Sequence, residues 1–111
     1  MPFSTSRILG RLPREKEFYF FTSIGNYTGE HAASLEEFVE KIRQITIKSL
    51  EFHFYRGDFE RWVTEVLEDK KLADAIRSLR NFKPLGDALR DQLYVVAWKR
   101  FQALTAKAPR S

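Results

Sequence analysis

The chain has 111 residues, the length of one domain, with 43% hydrophobic residues and ten phenylalanines, enough to build a buried core. It contains no cysteine, which excludes disulfides and thiolate chemistry, and no apolar run approaches the length of a membrane span. The net charge is +4, and it is carried by Lys99, Arg100, Lys107 and Arg110, beyond the last acidic residue, Asp91.

Residues 1–16 are polar and mixed, with Pro2, Gly10 and Pro13, and read as a flexible basic tail. A single domain is expected over 17–106, followed by a short tail at 107–111. Glu17-Phe18-Tyr19-Phe20-Phe21 is an aromatic run suited to a buried extended segment or brief strand. Thr22 to Gly29 is rich in turn residues and is expected to be an ordered loop.

Ser34-Leu35-Glu36-Glu37 is a capping box, with Ser34 as the cap and Glu37 reaching back. It opens a helix to about Ile45 whose apolar stripe is Leu35, Phe38, Val39, Ile42 and Ile45. Glu37 and Lys41 are spaced for an exposed ion pair on that helix.

The next stretch, Leu50 to Tyr55, supports two readings. Alternation places Leu50, Phe52 and Phe54 on one face of a strand; helical spacing places Leu50, His53, Phe54 and Gly57 on one face of a helix. The helical character of the segments after it favours a short helix capped by Ser49. Gly57 suits the left-handed residue that ends it, and Asp58 suits the cap of a new helix running to about Glu68.

Asp69 is expected to cap a helix with the stripe Leu72, Ala73, Ile76 and Leu79. Asn81 to Pro84 breaks the chain, and Pro84 favours a helix start. The last helix carries Leu85, Leu89, Leu93, Val96, Ala97, Phe101 and Leu104 on one side, with Tyr94 and Trp98 a turn apart on a flank. The expected fold is mostly α: a compact bundle of about five helices with a short N-terminal aromatic extended segment.

The chemistry-bearing residues are few. His53 and His31 lack the spacing of metal ligands, so no metal or cofactor is expected, and His53 reads as a core-edge histidine bonded to backbone or to a carboxylate. No nucleophile stands beside a base, so no catalytic residue is assigned and no enzyme is expected.

Three binding readings stand beside one another. Tyr94 and Trp98 would anchor a protein partner or a second copy. The basic end, Lys99, Arg100, Lys107 and Arg110, would grip nucleic acid through phosphate contacts. The loop residues Ser23, Gly25, Asn26, Thr28 and Gly29, with His53 and Arg56, would hold a phosphorylated small ligand. The first is favoured, as a cytoplasmic interaction or regulatory module with no membrane partner.

Two stretches carry a family resemblance: Phe18 to Gly29 (FYFFTSIGNYTG) and His53 to Trp62 (HFYRGDFERW), with Ala33 to Phe38 between them. Over roughly residues 17 to 80 the chain resembles a family of small uncharacterised proteins, found mainly in archaea and also in bacteria. It is similar as well to an accessory segment on some haloacid-dehalogenase-like phosphatases. The resemblance implies a portable module, which suits docking rather than catalysis. It supplies no functional residue, and the chain has neither room for a phosphatase domain nor a dehalogenase-type aspartate motif.

Overall fold

The computed structural model describes residues 10–107. In chain order they form a two-stranded antiparallel hairpin, β1 (Phe18–Ser23) and β2 (Asn26–Ala32), and five α-helices: α1 (Leu35–Gln44), α2 (Ile47–Arg56), α3 (Asp58–Trp62), α4 (Lys70–Leu79) and α5 (Gly86–Lys107). A π-helical turn, Val63–Leu67, extends α3, and short 3-10 turns stand at Arg14–Lys16 and Arg80–Phe82. The mostly helical bundle with an aromatic extended segment near its start is thus what the chain forms.

The expected loop after the aromatic run is instead the turn and second strand of the hairpin. Gly25 at φ 80° turns the chain after Ser23. Strand β2 then pairs Tyr27 with Phe21, His31 with Tyr19 and Ala32 with Phe18. Between the first two of these pairs, Phe20 alone on β1 lies opposite Thr28, Gly29 and Glu30 on β2. The Thr28 hydroxyl fills this bulge, donating to the Phe20 carbonyl (2.7 Å) and accepting from the Glu30 N–H (3.0 Å).

The capping box forms. Ser34 Oγ accepts from the Glu37 N–H (3.1 Å), and Glu37 Oε1 accepts from the Ala33 N–H (2.8 Å). The Glu37–Lys41 pair does not form, because Arg11 takes the Glu37 carboxylate and Lys41 reaches Glu30 on β2. Within the segment expected to be tail, Leu12 donates its N–H to the Ala33 carbonyl and packs on the core.

Residues 47–56 are helical, but Thr46, not Ser49, supplies the cap: its Oγ1 accepts from the Ser49 N–H. Ser49 is buried inside the helix, and its hydroxyl finds no partner among the described residues. Gly57, at φ 78°, ends α2 and opens α3. Asp58 therefore does not cap α3; its carboxylate turns to His53, Arg56 and Arg61. Asp69 caps α4 through the Leu72 N–H (3.4 Å).

The core is an aromatic cluster of Phe18, Phe20, Phe38, Phe54, Phe59 and Trp62, continued by Leu89, Leu93, Ala97 and Leu104 of α5. Trp62 is buried, and its indole N–H donates to the Lys16 carbonyl (2.8 Å). Leu85 departs from the expected stripe: it precedes α5 and is exposed. The N-terminus of α5 is met by Glu51 of α2, whose carboxylate accepts from the Gly86 N–H (2.8 Å), a negative charge at the positive end of the helix. Nearby, the Tyr55 hydroxyl donates to the Pro84 carbonyl (2.7 Å). No helix among the described residues is long and apolar enough to cross a membrane.

Candidate functional sites at the hairpin and on the last helix

His53 ties strand β1 of the hairpin to α2 by a hydrogen bond. It sits in the last turn of α2, 4% exposed, with its ring edge-on to Phe18 (4.8 Å) and Phe52 (4.9 Å). Its Nε2 accepts the Phe21 N–H of β1 (2.8 Å), which leaves the proton on Nδ1, donated to Asp58 Oδ2 (2.8 Å). Burial holds the imidazole below its ordinary pKa of 6.5, outweighing the opposing pull of Asp58. His53 is thus neutral with both nitrogens engaged, one on backbone and one on a carboxylate.

Asp58 is the hub beneath it. Besides His53, its carboxylate accepts from Arg56 Nε (3.0 Å) and Arg61 Nη1 (3.1 Å). Burial pushes its pKa up, but the hydrogen bonds from His53 and Arg56 together win, and the carboxyl sits below its usual 3.8. The negative charge is needed where it is, between two guanidinium groups.

Above this network lies an open cavity of about 340 Å³ between the hairpin turn and the end of α2. Ser23, Ile24 and Gly25 line it from the turn; Phe18, Tyr19 and Phe21 from β1; Phe52, His53, Arg56 and Asp58 from the helices. The fold therefore brings Ser23, Gly25, His53 and Arg56 together, as the ligand-binding reading requires. It leaves Asn26, Thr28 and Gly29 off that lining, since β2 carries them away from α2. The guanidinium of Arg56 lies over the Phe52 ring, 4.8 Å from its centroid.

Helix α5, none of whose described residues lines that cavity, carries an aromatic row. The Tyr94 and Trp98 rings lie parallel within 4°, their centroids 6.4 Å apart, and Phe101 continues the row 6.0 Å beyond Trp98. Arg43 of α1 sits over the Tyr94 ring at 5.4 Å. Tyr94 is half-buried against the core, whereas Trp98 keeps 38% of its surface in solvent and Val95 keeps 46%. Val95 is absent from the sequence reading, which placed its neighbour Val96 in the core stripe; one residue is 100° of helix rotation, and only the packing sets the phase.

The basic residues of the nucleic-acid reading do not form one free surface. Arg100 is drawn inward and grips Asp69 with two hydrogen bonds, Nε to Oδ2 (2.8 Å) and Nη2 to Oδ1 (3.1 Å). Asp69 is 3% exposed and caps α4 at the same time, so Arg100 binds α5 to the start of α4. Lys99 is exposed; the Lys107 side chain and Arg110 lie outside the described residues.

A second buried pair braces α3 to α4. Glu60, 7% exposed, is held by both Nη groups of Arg80, and Arg77 Nε stands 3.7 Å from Oε2. Arg80 also donates to the Phe54 carbonyl (2.7 Å) and lies over the Phe54 ring (5.4 Å). Together with Arg56 and Arg61 these residues line a polar cleft in which Glu60 and Glu65 stand among the arginines.

The chain belongs to the family of unknown function DUF5752, whose model matches residues 15–108. No curated protein and no solved structure matches it.

Proposed function

We propose that this member of the family is a non-enzymatic cytoplasmic interaction module that pairs with a second copy of itself through the outer face of α5. The observation that carries the reading is Val95 and Trp98, two large apolar side chains left in solvent on a helix of 22 residues. They belong to the series Asp91, Val95, Trp98, Gln102, spaced four, three and four residues, the repeat with which two helices mesh side chains. Antiparallel pairing about the midpoint between Val95 and Trp98 sets each Val95 against the other copy's Trp98.

The aromatic row favours this use of the face. Stacking on Tyr94, itself covered by Arg43, holds the Trp98 indole in one orientation, so little side-chain freedom is lost on association. The non-enzymatic reading is supported by His53, the side chain best suited to acid–base work, whose nitrogens are both committed inside the fold. The resemblance to a module appended to larger enzymes suits a docking role as well.

Sedimentation velocity of the full chain, from low micromolar to sub-millimolar concentration, tests the proposal. The wild type is expected to pass from monomer to dimer, and Trp98→Ala and Val95→Asp to remain monomeric with unchanged circular dichroism. A wild type that stays monomeric throughout overturns the reading, as does a Trp98→Ala variant that dimerises like the wild type.

A further inference from the structure

From the cavity at the hairpin turn we infer a second, separate site: it binds a small planar monoanion, an arene carboxylate in chemical class. The walls set the planar, apolar body. Tyr19, Phe21 and Phe52 present rings and Ile24 stands at the lip, 83% exposed. A flat unsaturated molecule gains both burial and ring contacts there.

Arg56 sets the charge. Its Nε is fixed on Asp58 and its plane on Phe52, so the head group is already oriented. Its two Nη groups have no acceptor among the described residues, and the side chain is 47% exposed. Two parallel N–H donors match the two oxygens of a carboxylate. Asp58 does not compete for a cation, because His53, Arg56 and Arg61 already occupy its oxygens. It does act against a dianion: its carboxylate stands 3.0 Å from Arg56 Nε, and among the described residues Arg56 is the single cation on the lining of the cavity, facing it with one positive charge beside that carboxylate. The inference thus moves away from the phosphate cradle read in the sequence, which needed backbone N–H groups of Asn26, Thr28 and Gly29 that lie elsewhere.

The test is a titration of the isotopically labelled full chain followed by amide chemical shifts, with three probes. Indole-3-carboxylate is expected to bind saturably and to shift the amides of Ser23, Ile24, Gly25, Phe52 and Arg56. Indole-3-carboxamide, of the same shape without the charge, should bind about tenfold more weakly, the loss of one charge-assisted bidentate contact. Inorganic phosphate should cause no saturable shift at matched concentration. Arg56→Gln should bind acid and amide equally, a change in preference that a loosened fold would not produce. The inference is overturned if the acid does not saturate, if its shifts map elsewhere, or if acid and amide bind wild type alike. Phosphate binding as well as the acid would also overturn it, by reducing the site to a bare anion contact.

Discussion

Replacing His53 dissects what the hairpin clasp contributes. In His53→Ala the Phe21 N–H loses its acceptor inside the protein, at about 1–3 kcal/mol for an unsatisfied buried donor. The missing ring also leaves a void among Phe18, Phe52 and Phe59, whose centroids lie 4.8, 4.9 and 5.6 Å from that of the imidazole. Asp58 keeps Arg56 and Arg61, so its charge is not stranded. Together the losses come to about 3–5 kcal/mol, as for other large-to-small changes in a packed core. His53→Gln, whose amide oxygen can take the place of Nε2, should lose about half of that.

The same pair of proteins reads out the buried neutral state. Because the folded pKa of His53 lies below 6.5, the unfolded chain binds a proton that the folded one refuses as pH drops under that value. Wild-type stability therefore falls with pH below about 6.5, by at most ~1.4 kcal/mol per pH unit. His53→Gln lacks this slope, so its deficit narrows between pH 7.5 and 5.5. Groups common to both proteins cancel, and the depressed Asp58 contributes its loss only below about 3.8. Urea unfolding at four pH values measures it. The same slope in His53→Gln as in the wild type refutes the account of a neutral, doubly bonded imidazole, as does a cost for His53→Ala under about 1 kcal/mol.

Two further outcomes follow from the buried polar groups. Arg80→Met should destabilise by about 3 kcal/mol in chemical denaturation, the low end for a broken buried pair because Arg77 remains near Glu60; adding Glu60→Gln should recover more than half, and a single-variant cost under about 1 kcal/mol contradicts the buried-charge argument. Ser49→Ala should raise stability by about 0.5–1.5 kcal/mol, since it deletes a buried hydroxyl without a partner and places the best helix former inside α2; a fall in melting temperature counts against this.

Much of the helical framework is legible in the chain because each helix buries one stripe. The spacing of Leu35, Phe38, Val39 and Ile42, and of Leu72, Ala73 and Ile76, follows directly from packing against a single core. Gly57 is legible because few other residues accept φ 78°. Strand β2 is hidden for the opposite reason: Asn26 to His31 stays exposed or half-exposed, so it has no apolar alternation, and its bulge breaks the period. Thr46 and Ser49 are both able to cap α2, and only the backbone decides between them. The candidate sites depend on long-range meetings. Phe21 lies 32 residues from His53, and Arg100 lies 31 from Asp69; neither partner announces the other locally.

The bulge at Thr28 has a consequence for how the protein behaves in a crowded solution. A two-stranded sheet has two open edges, each a template on which another chain can grow. On β1 the outward Phe21 N–H is already spent on His53. On β2 the ladder is interrupted at Thr28–Gly29–Glu30, with Gly29 at φ 88° and Glu30 drawn to Lys41 of α1. Neither edge offers an unbroken row of donors and acceptors, so the folded protein resists edge-to-edge stacking. The aromatic run Phe18-Tyr19-Phe20-Phe21, uncharged and of high β-propensity, has Phe18 and Phe20 buried in the core, so the hairpin must leave the helices before both can be exposed.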